Sequence, residues 1–385
     1  MIEKQDLKSI LKSINKKYED TVVKIGVEER EKSSFLSLGT PGFDFCTYNR
    51  IPKGIWCELS GPESSGKTTG AFLIAANHIR QEKKKPEEER QHILFVDAEG
   101  TADPGWALTS TGYDMNDKDI QTIRVTPTGQ SAEQIFDMVR EIVVSGQIGL
   151  VIFDSLTAIA PQQTNTSTFE QKDMGGLAKP LGDFVKRMTG VFNKYKCTFI
   201  GINGLIQNIS GYGQLDVTPG GTYFKRACSL RLRFKVGEFF DDNDNILKGK
   251  DAVSPAGHVI EMAVIKTKFC RWDRKLGRCH LNYKKGIDLL WDTIEVATKL
   301  GFIDNSVQGS YSILDPDTGE VISKIRGKAN LKPYFEEHKD LWHKLYDKVY
   351  EKIEKTDDPN IISFEQMLGI NVEERFNVDL AKEQG

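Results

Sequence analysis

From Phe35 to about Tyr283, short apolar runs alternate with segments of helical periodicity, and this alternation predicts an α/β fold with a mostly parallel sheet. The clearest strands are His92–Val96, Leu150–Phe153 and Thr198–Ile202, with a helical pattern over Ala132–Val144 between the first two. Trp56–Ser60 reads as a buried strand and Thr69–Asn77 as the start of a helix. Ahead of this region, residues 4–19 form an amphipathic pattern with Leu7, Ile10, Leu11 and Ile14 on one face. A β-prone run, Thr21–Val27, and a charged stretch, Glu28–Ser34, follow. A lone helix and strand cannot bury both apolar faces, so this arm packs either on its own domain or on a neighbouring subunit. Beyond Gly286 the pattern changes. Asp288–Leu300 is helical, Ser310–Leu314 and Val321–Ile325 flank an Asp315–Gly319 turn as a hairpin, and Lys332–Glu354 is helical again. The division that results is an N-terminal oligomerisation arm (1–34), a core (35–285), a small α+β domain (286–355) and a polar, loosely ordered tail (356–385).

Composition adds exclusions. The 385 residues are 39% hydrophobic and 28% charged, with no apolar run near membrane-span length and no apolar segment behind the first residues to suggest a signal peptide. The six cysteines stand singly, several in apolar strand-like runs, which suits reduced thiols in a cytoplasmic setting. Cys270, Cys279 and His280 lack a second ligand pair at zinc-binding spacing. A formal net charge of −3 does not mark a nucleic-acid binder, so any such binding rests on local surfaces or on many protomers together.

The chemistry begins at Gly61-Pro62-Glu63-Ser64-Ser65-Gly66-Lys67-Thr68-Thr69, which fits G-x-x-x-x-G-K-[ST]. Glycines at both ends let consecutive N–H groups converge on a phosphate, Lys67 adds charge at the β/γ-phosphates, and the Thr68 hydroxyl is placed for Mg²⁺. The following helix offers its N-terminus to the same anion. Leu150–Asp154 is an apolar strand ending in Asp154, the carboxylate expected beside the metal. Phe95-Val96-Asp97-Ala98-Glu99 also ends in carboxylates, and Glu99 there can orient or deprotonate an attacking water. The Asn-Lys-x-Asp of a guanine reader and the arginine-rich lid of a small-molecule kinase do not occur.

These motifs together resemble the bacterial RecA recombinases. Residues 61–69 are identical to that family's phosphate loop, Asp97-Ala98-Glu99 followed by Asp103-Pro104 resembles its Asp-Ala-Glu-His-Ala-Leu-Asp-Pro stretch, and Val151–Ala160 resembles its Walker B strand. Met174–Ala178, Gly220–Lys225, Lys266-Thr267-Lys268 and Gly327–Asn330 fall in family order, so the resemblance spans roughly residues 35–345 while the intervening sequence diverges widely. It implies a RecA-like P-loop ATPase core and an ATP- and Mg²⁺-dependent protein that polymerises as a helical filament on single-stranded DNA, pairs it with homologous duplex and exchanges strands. Single-strand-binding and mediator proteins are the accompanying partners, and a virus-encoded form of the UvsX type, working in a host cytoplasm, is one version of the reading.

The resemblance also implies roles. Glu99 is the catalytic base. Trp106 replaces an adenine-stacking tyrosine with an indole of equal or larger face, and Asp103 contacts the adenine amino group. Lys266 and Lys268, two apart on a strand and therefore on one face, reach the neighbouring protomer's γ-phosphate. The first DNA loop, about 162–176, includes Met174, Gly175 and Gly176, with Arg187 on the helix behind it. The second, about 204–221, includes Gln207, Asn208, Ile209, Gly220 and Gly221. The chain departs from the family at Gly204, where a γ-phosphate-sensing glutamine is expected; Asn203 and Gln207 are the candidate substitutes. The second loop also lacks the expected basic residues, which the basic and aromatic run from Lys266 to Lys285 could supply. A ring-forming helicase motor and an ATP-binding regulatory module are the alternatives.

Overall fold

The computed structural model describes residues 6–18, 35–162, 176–207, 216–248, 254–355 and 361–381. The expected strand at 21–27, most of the first loop and the centre of the second lie outside these residues. Helix α1 (Leu7–Lys17) belongs to a separate unit. Asp6 caps it, accepting from the Lys8 and Ser9 N–H groups.

The second unit opens with β1 (Phe35–Leu36), helix α2 (Pro41–Thr47) and β2 (Ile51–Pro52), which pairs with β1. A large sheet follows. Its strands are β3 (Trp56–Ser60), β4 (His92–Asp97), β5 (Thr122–Val125), β6 (Ile148–Asp154), β7 (Thr198–Asn203), β10 (Leu230–Phe240), β11 (Ile246–Leu247), β12 (Gly257–Thr267), β13 (Leu276–Asn282) and β14 (Gly286–Ile287). They lie in the order β14-β13-β12-β10-β3-β7-β6-β4-β5, with β11 on the side of β10. From β10 to β5 every pairing is parallel, whereas β12, β13 and β14 extend the sheet antiparallel. A separate two-residue ladder joins β8 (Ile206–Gln207) to β9 (Asp216–Val217).

Helices α3 (Lys67–Glu82), α4 (Pro104–Thr111), α5 (Ala132–Val143), α6 (Ala178–Tyr195) and α7 (Gly221–Ala227) connect the strands. Strand alternation sorts the core into two layers. Cys57, Leu59, Phe95, Ile152 and Ile200 face one apolar cluster with α3, while Trp56, Val96, Phe153 and Phe199 face the other with α5 and α6. Trp56 anchors the second layer among Phe184, Phe192 and Phe199, and its indole N–H reaches Thr189 Oγ1 at 3.0 Å.

The C-terminal region holds α8 (Leu289–Lys299), β15 (Ile303–Asp304), the hairpin β16 (Ser310–Leu314) and β17 (Val321–Arg326), then α9 (Leu331–Glu337) and α10 (Lys339–Lys355). The single helix expected over 332–354 is broken at His338, whose backbone leaves the helical region. Two expectations fail here. The core and the C-terminal region share one continuous apolar cluster rather than meeting as separate bodies at 285. The stretch expected to be a loose tail instead folds as α11 (Phe364–Leu368) and α12 (Val372–Phe376), burying Phe364, Val372, Phe376, Val378 and Leu380. A low density of apolar residues hid them, but each sits where the chain turns inward, and Ser363 closes a capping box with Gln366.

Candidate nucleotide site and DNA-facing loops

The phosphate loop leaves β3 and enters α3 through Gly66, which takes φ +92° with a Cβ position only 3.0 Å from Ile260. A side chain would therefore meet both backbone strain and a packed neighbour. No side chain caps α3 and no acid stands in its first turn, so its leading N–H groups and its dipole are available to an anion. Lys67 folds over this cradle, donating to the carbonyls of Gly61 at 3.0 Å and Pro62 at 2.6 Å. Ser65 Oγ donates to the Pro62 carbonyl, and Ser64 adopts φ +57°, a left-handed turn that aims the loop back upon itself. Burial pulls the Lys67 ammonium below its ordinary pKa, against the charges of Asp154, Glu99 and Glu63.

Two strands, β4 and β6, deliver carboxylates to this edge of the sheet. Thr68 Oγ1 donates to Asp154 Oδ2 at 2.8 Å, joining α3 to the end of β6. These two oxygens form a small, hard donor set of the kind that suits Mg²⁺, and they could hold it together with phosphate oxygens and water. Burial raises the Asp154 carboxyl to about 6, with Glu99 and Asp97 pushing the same way and the Thr68 hydrogen bond and Lys67 opposing. A divalent cation would relieve that strain. Asp97 pairs in register with Asp154 but faces elsewhere: it accepts from the Thr101 and Ala102 N–H groups and pairs with Arg124, which also donates to the Ala102 carbonyl. This latch fixes the turn that carries Glu99. Glu99 Oε1 accepts from Ser155 Oγ at 2.6 Å.

Asp103 caps α4, accepting the Trp106 N–H at 2.6 Å, and Trp106 is 36% exposed, so a flat face is open to a base. Thr69 is buried under the loop. Lys266 and Lys268 share a face as expected, both donating to the Arg226 carbonyl, at 3.5 and 2.9 Å; Lys266 also reaches the Lys225 carbonyl at 3.0 Å. Within one protomer the pair thus neutralises the C-terminal carbonyls of α7, and Lys266 is only 4% exposed rather than free on a solvated strand.

The loop ends converge. Gly220 (φ +94°) and Gly221 (φ +79°) close the second loop against α6, and a Cβ on Gly221 would lie 2.8 Å from Ala178 Cβ. Only glycine allows this approach, which brings the exit of the second loop onto the helix that follows Gly176. Arg187 is exposed on that helix, and Gln207 pairs with Asp216 at the base of the second loop. Met174, Gly175, Asn208 and Ile209 lie outside the described residues. The basic run expected to supply phosphate contacts is split: Arg271, Lys284 and Lys285 are exposed, whereas Arg274 packs on the Phe45 and Tyr48 rings and Arg278 is buried against Glu238 and Glu295. Among the described residues, no cluster of acids, cysteines and histidines could hold a metal by itself.

One buried polar constellation at this edge is absent from the sequence-based expectations. Glu58, on β3 two residues before the sheet edge, is fully buried and meets Arg231 Nε at 2.5 Å and Asn203 Nδ2 at 2.7 Å. Asn203 Nδ2 also donates to the Pro219 carbonyl, and Arg231 reaches Thr218 Oγ1 at 3.4 Å. Burial drives the Glu58 carboxyl upward, but the Arg231 charge and hydrogen bonds from Asn203, Arg231 and Thr218 prevail and hold its pKa below the usual value. Asn203 is therefore committed to Glu58 and is poorly placed to substitute as a phosphate sensor. A charged residue inside an otherwise apolar strand, Trp-Cys-Glu-Leu-Ser, was the available signal.

Fold and site together define a P-loop nucleoside triphosphatase on a wound α/β sheet, with its ligand edge at the ends of β3, β4 and β6. The RecA N-terminal domain family matches residues 5–288, and the chain belongs to that family. Protein RecA of Campylobacter hominis is 29% identical over 341 residues, covering 87% of this chain and 88% of that protein. Protein RecA of Mycoplasma mobile is 26% identical over 361 residues, covering 93% and 99%. Among solved structures, the RadB recombinase aligns with a TM-score of 0.46 at 17% identity, over 65% of this chain and 97% of its own. As a family member the protein is a DNA-dependent ATPase of homologous recombination that uses ATP and Mg²⁺, binds DNA and forms filaments. A ring-helicase motor and a purely regulatory module do not fit that membership. No described helix is long and apolar enough to cross a membrane.

Proposed function

We propose that ATP is hydrolysed at the boundary between two protomers, and that its state sets the hold of the two loops on single-stranded DNA before a homologous duplex is paired and strands are exchanged. The observation that carries this reading is the convergence of Lys67, Thr68, Asp154 and Glu99 at one sheet edge. Gly61, Pro62, Glu63, Ser64, Ser65, Gly66 and Thr69 shape the loop whose N–H groups, with Lys67, take the β- and γ-phosphates. Thr68 and Asp154 hold Mg²⁺, which when bound neutralises charge on the phosphate oxygens. Glu99 orients the attacking water and takes its proton, held for that task by Ser155. Trp106 stacks on the adenine, and the Asp103 oxygen not capping α4 accepts from its amino group.

Lys266 and Lys268 act on the neighbouring protomer's γ-phosphate, exchanging the α7 carbonyls for phosphate oxygens. Their convergence on one carbonyl supports this, since both ammonium groups already serve a single acceptor. Met174, Gly175, Gly176 and Arg187 on one side, and Gln207, Asn208, Ile209, Gly220 and Gly221 on the other, contact the DNA backbone and bases. Residues 1–34 serve polymerisation. Single-strand-binding and mediator proteins are its partners in the cytoplasm, that of the host for a virus-encoded form. Replacing the base tests the assignment directly. Glu99→Gln should lower hydrolysis by about a hundredfold or more while ATP-dependent single-strand binding persists; hydrolysis at the normal rate would remove Glu99 from its role.

A further inference from the structure

Beyond Glu99, a second hydrogen bond continues the chain. Ser155 Oγ lies 2.6 Å from Glu99 Oε1 and 2.8 Å from Thr157 Oγ1. A carboxylate only accepts, so the Ser155 proton points at Glu99 and the Ser155 oxygen receives the Thr157 proton. The polarity of both bonds is thereby fixed by Glu99. At the far end, a Cβ built on Gly204 would lie 4.0 Å from both Thr157 Cγ2 and Thr157 Oγ1. Gly204 follows the last residue of β7 and precedes β8, so Thr157 stands at the head of the second loop. Thr157 is exposed, the amide N–H groups of Asn203 are committed to Glu58 and Pro219, and Gly204 has no side chain of its own.

We propose that Thr157 is a positioning residue that reports the engagement of Glu99 to the second loop. While Glu99 accepts from Ser155, the Thr157 hydroxyl is turned toward Ser155. When Glu99 turns to the attacking water, Ser155 loses its acceptor and becomes free to donate back to Thr157. The Thr157 proton is then released toward the backbone at Gly204, where the loop begins. No bond beyond these hydrogen bonds changes, and the same polar backbone that holds DNA feels the reversal. A bulkier residue at 204 would cover this hydroxyl, so the small residue and the threonine work together.

The proposal rests on the DNA-coupled ATPase reading, and the test separates the two. Affinity for a fluorescent oligothymidylate is measured with ADP and with a slowly hydrolysed ATP analogue, for wild type, Thr157→Val and Thr157→Ser. Valine keeps the shape and removes the hydroxyl; serine keeps the hydroxyl. Thr157→Val should reduce the analogue-to-ADP affinity ratio at least tenfold, with the affinity in ADP moving less than twofold, and Thr157→Ser should keep the ratio within threefold of wild type. An unchanged ratio in Thr157→Val, or an equal loss in Thr157→Ser, would overturn the proposal alone. Equal affinities in both nucleotide states for wild type would overturn the underlying reading and the proposal with it.

Discussion

Arg231→Met isolates the buried polar network that joins the strand of the phosphate loop to the second loop. The guanidinium is 1% exposed and meets Glu58, itself fully buried, at 2.5 Å. Methionine fills much of the same volume but leaves the carboxylate without its counter-charge. Removing one partner of a buried pair costs about 3–5 kcal/mol, because the remaining charge is left in an apolar setting. Asn203 and Thr218 still donate to Glu58, which places the expected loss near the lower end, about 3 kcal/mol. The pH dependence carries the sharper signature. In the native chain the Glu58 pKa is held below its ordinary value of 4.5, so its contribution is present above that value and is lost as pH falls through the folded-state value. In Arg231→Met the sign reverses: burial then dominates, the folded pKa rises above the unfolded one, and the deficit is full at high pH and shrinks on acidification. Urea unfolding followed by tryptophan fluorescence, with Trp56 buried on the same face of β3 as Glu58, measures both effects. The double variant Glu58→Gln with Arg231→Met, which buries no charge, should recover most of the loss. A deficit under about 1 kcal/mol at pH 7.5, or one that does not change with pH, would refute this reasoning.

Two further outcomes follow from the same physics. Asp154 is raised from 3.8 to about 6, so its ionisation costs the nucleotide-free fold about 3 kcal/mol above that pH and nothing below the unfolded value. Asp154→Asn should therefore raise the urea midpoint at pH 7.5 while abolishing Mg²⁺-dependent hydrolysis; a lowered midpoint would contradict the sign. Phe376 is 4% exposed, and Phe376→Ala should destabilise the fold by about 3–5 kcal/mol, whereas a loosely attached C-terminal segment would give almost no change in the same titration.

The central sheet was legible because its strands alternate between two apolar layers, leaving continuous runs such as Leu150–Phe153 in the sequence. The phosphate loop and the carboxylates at Asp154 and Glu99 were legible for a different reason: their spacing is dictated by chemistry at one edge. What could not be read depends on long-range pairing. Glu58 and Arg231 are distant in sequence and look like an odd charge in each of two strands until the parallel register sets them side by side. Arg274 and Arg278 read as a basic surface because composition does not reveal the rings and carboxylates they pack against. Likewise Lys266 alternates correctly with Lys268, but periodicity could not show that α7 ends beneath both. The segment 361–381 is polar on average, yet its few apolar residues land in the core, and placement matters more than their number.

The site binds ATP with Mg²⁺ and hydrolyses it in a DNA-responsive filament. Steady-state ATP hydrolysis by the full chain, with and without single-stranded DNA, alongside electron microscopy of the same mixtures, tests that claim most directly. Hydrolysis stimulated at least tenfold by DNA, with extended helical filaments, is the predicted result. A rate indifferent to DNA, or closed rings in place of filaments, would contradict it.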